Sequence, residues 1–95
     1  MKITEKKVRD ERSTEFKFDN GAWACVYAGY EDGTGSWEFQ SDEDDEETYS
    51  EGGLWFDGKE LVDYDGCFEL PKEVAIAIKD LGYDVIDLED DGQEE

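Results

Sequence analysis

Apolar and polar side chains alternate from residue 14 to residue 19. Thr14, Phe16 and Phe18 fall on one side of an extended chain, and Glu15, Lys17 and Asp19 on the other. Period two marks a half-buried strand, because successive side chains leave a strand on opposite faces. Asn20-Gly21 follows and predicts a type I′ hairpin turn, which needs positive φ at both central residues. The return strand places Trp23, Cys25 and Tyr27 on one face and Ala22, Ala24, Val26 and Ala28 on the other. Residues 29–35 are a Gly-rich turn of the kind that joins antiparallel strands. A third strand then sets Trp37 and Phe39 against Ser36, Glu38 and Gln40.

Residues 48–56 read as a fourth strand, with a bulge or bend expected at Gly52-Gly53. Asp57-Gly58 predicts a second I′ turn, residues 59–64 a fifth strand, and Asp65-Gly66 the end of the sheet. Ahead of Thr14 the only apolar side chains after Met1 are Ile3 and Val8, so the first segment reads as an edge strand or a loosely held arm. Its lysines discourage edge-to-edge pairing. One helix is expected over about residues 71–81. Pro71 suits a first helical position, Glu73 suits the helix dipole, and Gly82 suits the residue after the C-terminus. Val74, Ala75, Ile78 and Leu81 form its apolar stripe, with Ala77 beside them. Tyr83, Val85 and Leu88 then run back as a short extended segment. The fold class is therefore α+β, an antiparallel meander of four to five strands with one helix across a face. Residues 1–88 form the expected domain and 89–95 a disordered acidic tail.

Composition changes what this fold is expected to do. The 95 residues carry 29 Asp+Glu against 9 Lys+Arg and no histidine, a net charge of −20. At 37% hydrophobic and 14% aromatic the chain is too apolar for a disordered acidic segment and should fold. Nothing here could neutralise a phosphate backbone, which argues against direct nucleic-acid binding. An anionic membrane surface would repel it. Two cysteines without histidine disfavour zinc, and histidine-based acid–base or nucleophilic catalysis is excluded within the chain. No cofactor is expected. The N-terminus lacks an apolar stretch and no apolar run approaches 18 residues, so neither a signal peptide nor a membrane span is expected. The expected location is the cytoplasm, that of the host cell if the chain is phage-encoded. Cys25 and Cys67 then read as reduced small hydrophobes, with a disulfide the minor alternative.

The charge is uneven. Residues 1–17 hold six cations against four acids, +2, and residues 18–95 hold 25 acids against three lysines, −22. Such polarity suggests that one end pairs with its own acidic surface while the rest projects a negative field. Self-repulsion also favours a monomer.

Four uses of the acids are open. Asp63 and Asp65 share a strand face about 6–7 Å apart, a spacing compatible with glycosidase-like carboxylates, but a small meander offers little cleft for a sugar. Asp42, Asp44 and Glu46 resemble the start of a calcium loop, yet Glu47 stands where its glycine belongs and Gly53 where its bidentate glutamate belongs. Solubility or halophily would also use an acid excess, although seven lysines to two arginines and abundant aromatics oppose halophily. Last is mimicry of nucleic acid. Acids at alternate strand positions recur about 6.6 Å apart on one face, close to the spacing of neighbouring phosphates along a chain. A basic cleft built for phosphates would bind them, with strong weakening by salt.

The small size, the acid excess, the aromatic content and the run Asp42-Glu43-Asp44-Asp45-Glu46-Glu47 resemble the phage-encoded anti-defence inhibitors, the acidic anti-CRISPR and anti-restriction DNA mimics. No sequence motif defines that class and its members have unrelated folds, so no site residue carries over by motif. The resemblance implies a non-enzymatic inhibitor occupying the DNA- or PAM-binding channel of a CRISPR effector complex. The rivals are an immunity protein or antitoxin capping a basic nuclease, and an acidic accessory protein with a structural role. The expected partner-binding surface is Asp42, Glu43, Asp44, Asp45, Glu46 and Glu47, seconded by Glu31, Asp32, Glu51, Asp63 and Asp65. Trp37, Tyr49 and Trp55, nearest the acidic run, are the candidate aromatic contacts.

Overall fold

A computed structural model describes residues 2–65 and 70–85. Among these, β1 (Ile3–Val8), β2 (Ser13–Phe18), β3 (Trp23–Tyr27), β4 (Thr34–Gln40), β5 (Tyr49–Asp57) and β6 (Glu60–Tyr64) form an antiparallel meander in sequence order. A 3₁₀ turn (Glu46–Thr48) precedes β5, and α1 (Lys72–Asp80) follows β6. After the helix, β7 (Asp84–Val85) joins the far edge parallel to β6, pairing Glu60 with Asp84 and Leu61 with Val85. The sheet thus has seven strands among the described residues, not four to five, and it continues past Asp65. A parallel neighbour needs a crossover, and α1 supplies it. The expected tail, Leu88 and Cys67 lie outside the described residues.

Alternation decides which face is covered. Phe16, Phe18, Ala24, Val26, Trp37, Phe39, Leu54 and Leu61 are buried on the inner face, where the sheet curls around α1. The helix buries Val74, Ala75, Ala77 and Ile78 and packs chiefly on β3 and β7. Ala24 of β3, with Ala22 and Ala28 flanking the strand, makes that approach possible, because a run of large side chains would hold the helix away. Burying an Ile or Val stabilises by about 1.5–3 kcal/mol, so this stripe, more than helix propensity, holds nine residues helical. Pro71 is the N-cap at φ −60°, ψ 145°, one place earlier than expected. Asn20 Nδ2 donates to Glu73 Oε2 (3.0 Å) and ties the β2–β3 hairpin to the first turn of the helix.

Both hairpin turns differ from the I′ expectation. Only glycines have positive φ among the described residues, so Asn20 and Asp57 do not occupy the left-handed region. The β2–β3 loop is a three-residue connection: Gly21 N donates to Phe18 O (3.1 Å), Phe18 N donates to Ala22 O (3.1 Å), and Gly21 has φ +91°. That is a turn closed by a glycine bulge. Asn20 keeps an ordinary φ because its Oδ1 accepts from Ala22 N (3.0 Å). In the β5–β6 hairpin Asp57 pairs with Glu60, so the loop is Gly58-Lys59 with positive φ at the first position alone, the type II′ pattern.

Nor does the bulge fall at Gly52-Gly53. β4 and β5 pair in regular register through Trp37↔Gly52 and Ser36↔Gly53. The irregularity lies one hairpin on, where Trp55 faces Asp63 and Phe56 faces Leu61, leaving Val62 as the extra residue. The glycines serve close approach instead. A Cβ at Gly52 would lie 2.7 Å from Trp37 Nε1 and almost on the Asp65 carbonyl oxygen.

The basic N-terminal segment is the sheet edge β1. Lys6 pairs with Asp80 of α1 (2.8 Å), and Lys17 of β2 pairs with Glu43 (3.1 Å). Both pairs are exposed and each is worth under about 1 kcal/mol. They do remove two cations from the free surface.

Candidate interaction surface on the outer sheet face

The outer face, opposite α1, divides into two halves. On β2 and β3, Arg9 reaches across from the end of β1 to pair with Glu15 (3.3 Å) and donates to Cys25 Sγ (3.9 Å). Cys25 is fully buried on the face opposite α1, and burial pushes its thiol pKa up. Along β4 to β6, and at Asp65 just past β6, the outward positions include Glu38, Tyr49, Glu51, Trp55, Asp63 and Asp65, with Thr34, Ser36, Gln40 and Gly53 among them. No Lys or Arg occurs between Lys17 and Lys59, and among the described residues no ion pair reaches Glu38, Glu51, Asp63 or Asp65.

Glu38 and Glu51 stand directly opposite one another. Like charges in that position repel. Two phenols moderate the repulsion: Tyr27 Oη donates to Glu38 (3.5 Å) and Tyr49 Oη to Glu51 (3.1 Å). The phenol of Tyr27 is pushed up to about 12 by its contact with the Cys25 thiol, then by burial and by Glu38. Tyr49 is raised as well, by burial first and then by its bond to Glu51.

At one end of this half lies the loop 42–47, which is built rather than loose. Asp42 Oδ1 accepts from Asp44 N (3.0 Å), and Asp45 Oδ1 caps the 3₁₀ turn through Glu47 N (3.0 Å). The Gln40 amide donates to the carbonyls of Asp42, Glu43 and Asp45 at 3.3–3.4 Å. Glu43 N donates to Gly21 O (3.0 Å), docking the loop on the neighbouring hairpin. The six acids therefore split by role. Asp42 and Asp45 hold the turn, Glu43 is paired with Lys17, and Asp44, Glu46 and Glu47 make no ion pair among the described residues.

Glu31 and Asp32 sit at the other end, in the β3–β4 turn. Bonds from Thr34 Oγ1 (2.7 Å) and Thr34 N (3.0 Å) hold the Asp32 carboxyl below its usual range. The seven residues of β4 separate this turn from the loop 42–47 by about 20 Å. The two groups do not form one cluster; Glu38, Glu51, Asp63 and Asp65 connect them into a stripe along β4–β6.

The three candidate aromatics part company. Trp37 is 1% exposed, inward-facing, and donates through Nε1 to Asp65 O (3.3 Å). It is a core residue, because it shares the parity of Phe39. Tyr49 and Trp55 are outward-facing and 42% and 39% exposed. Trp55 lies back over Gly53: a Cβ there would meet its Cη2 at 3.0 Å and Asp65 Oδ1 at 3.4 Å. Asp63 stands directly across the strand pair. Glu38, Tyr27 and Gln40 were not among the expected site residues. Alternation puts Glu38 and Gln40 outward, but only the register reveals that Glu38 meets Glu51.

No cluster of three or more His, Cys, Asp or Glu side chains that could hold a metal occurs among the described residues, and no described helix is long and apolar enough to cross a membrane. No known protein family, curated protein or solved structure matches the chain.

Proposed function

We propose that this chain is a non-enzymatic inhibitor that presents nucleic-acid-like charge to a basic nucleic-acid-binding site, first among them the DNA channel of a CRISPR effector complex. One observation carries the reading: the acidic stripe is ordered, outward-facing and free of cations over the length of β4. Twelve acids (residues 31, 32, 38, 42–47, 51, 63 and 65) fall along it and at its ends, and of these Glu43 is paired with Lys17. A duplex carries about twelve phosphates per 20 Å, at one charge per ~1.7 Å of axis; the stripe sets Glu38, Glu51, Asp63 and Asp65 alongside β4 and the other eight acids at its two ends. Holding that much like charge on one face costs stability through self-repulsion. The hydrogen-bonded loop 42–47 and the phenol–carboxylate contacts are the fold's means of tolerating it.

The test is displacement of DNA. Purified effector complexes pre-bound to labelled target duplex should release it on addition of the protein, and cells expressing the protein should become sensitive to phage that their CRISPR system otherwise excludes. Release should weaken steeply with salt. If no effector complex loses DNA and no phage is rescued, the CRISPR assignment fails. Inhibition of a purified basic nuclease in the same format would move the reading to an immunity protein or antitoxin.

A further inference from the structure

The outer face spends its most exposed indole at a position where solubility would favour a polar side chain. Trp55 is 39% exposed, whereas Trp37 is buried and Trp23 half-buried. Its surroundings are unusual for a merely solvated aromatic. The floor beneath the ring is Gly53, bare backbone; the Asp65 carboxylate lies beside the same glycine and Asp63 stands across the strand pair. Asp65 is held in place by accepting from Gly53 N through Oδ1 (3.0 Å), and Asp63 by accepting from Tyr64 N (2.8 Å). Elsewhere the fold covers aromatic faces with its own cations: Arg12 lies 5.2 Å from the centroid of the Tyr30 ring, and Lys59 5.0 Å from that of Tyr83. Among the described residues no such cation lies over Trp55.

We infer that Trp55, with Asp63 and Asp65, is a seat for an arginine side chain of a basic protein partner. The inference rests on the reading of the stripe as a surface for such a partner, and it names the residue type that reads it. Charge alone would accept lysine equally. A guanidinium is planar and weakly hydrated, so it stacks on an indole while its in-plane N–H groups reach flanking carboxylates; an ammonium is a hydrated point charge that gains less. The arrangement therefore adds a preference for arginine that net charge by itself does not supply.

The experiment compares labelled nona-arginine and nona-lysine peptides binding to the full chain at equal ionic strength. The arginine peptide should bind about two- to five-fold more tightly, the margin expected of one exposed stacking contact. Trp55→Ala should bring the ratio to about one while leaving the lysine peptide's affinity nearly unchanged, and Asp63→Asn should reduce it. Equal affinities in the wild-type protein, or a preference that survives Trp55→Ala, would overturn the inference. Should Trp55→Ala fail to fold, the wild-type indole N–H resonances decide: Trp55 must shift on titration with the arginine peptide and Trp37 must not. A failure to displace DNA from effector complexes would sink the function proposed above and leave this preference measurable, so the two failures are distinguishable.

Discussion

The indole of Trp37 occupies the space above Gly52 that any other residue would fill: a Cβ there would stand 2.7 Å from Trp37 Nε1 and closer still to the carbonyl of Asp65 that the indole bonds. Gly52→Ala should therefore cost about 3 kcal/mol, toward the upper end for overpacking. Chemical denaturation measures it, and a loss below about 0.5 kcal/mol would mean that β5 and β6 part easily.

The two tryptophans nearest the acidic surface should answer mutation in opposite ways. Trp37→Ala empties a core position and should cost about 3–5 kcal/mol. Trp55→Ala removes an exposed ring and should cost under about 1.5 kcal/mol, although the proposed arginine contact disappears with it. Thermal melts of the two variants, side by side, settle whether inward and outward parity has been assigned correctly.

Within the loop 42–47, stability and binding should separate. Asp44, Glu46 and Glu47 make no bond through their side chains to the described residues, so reversing all three to lysine should leave the melting midpoint in place and weaken partner binding. Asp45→Ala removes the cap of the 3₁₀ turn and should cost about 1 kcal/mol. Unchanged binding by the triple reversal would remove the loop from the interaction surface.

Alkaline titration should reveal the phenols beside Glu38 and Glu51. Folding raises the Tyr27 pKa from near 10 to about 12, so the native state favours the protonated phenol. The stability this contributes is fully present below pH 10 and is lost as pH rises toward 12. Phenolate absorbance at 295 nm should still be rising near pH 12, and Tyr27→Phe should remove part of that late portion while Tyr49, also raised, supplies the rest. Denaturation at pH 9 and pH 11 should show the more alkaline protein to be the weaker.

Added salt should act oppositely on folding and binding. Screening relieves the repulsion between Glu38 and Glu51 and across a chain of charge −20, so the thermal midpoint should rise between low and 0.3 M NaCl. Affinity for a basic partner should fall over the same range. A midpoint that falls with salt would show that the pairs Lys6–Asp80 and Lys17–Glu43 outweigh the repulsion.

Much of this architecture was legible from side-chain alternation. Phe16, Phe18, Trp37 and Phe39 announce their shared face by period two, and Val74, Ala75 and Ile78 announce the helix by period 3.6. The turns were legible as turns but not in kind. Asn20 and Asp57 look like left-handed positions only until the loop length is known, and that length depends on which residues pair across the hairpin. The extended segment at Tyr83 and Val85 was legible, but its place in the sheet was not, because two residues carry no pairing signal; Val85 joins the sheet through the helix that delivers it to Leu61. The candidate site divided similarly. The acids and their signs were plain, yet nearness in sequence to the acidic run grouped Trp37 with Trp55, and strand parity separates them.

What the amino-acid sequence determined by itself was the five central strands, the helix, the absence of cations from residue 18 to residue 58 and hence the sign of the field. Those follow from local rules, alternation and composition, that need no partner. Register was decided only by the tertiary structure, because it depends on contacts between residues far apart in the chain. Register put Glu38 against Glu51, Gly52 under Trp37, and Asp63 and Asp65 around Trp55. It also turned a count of charges into an ordered stripe with one exposed indole in it.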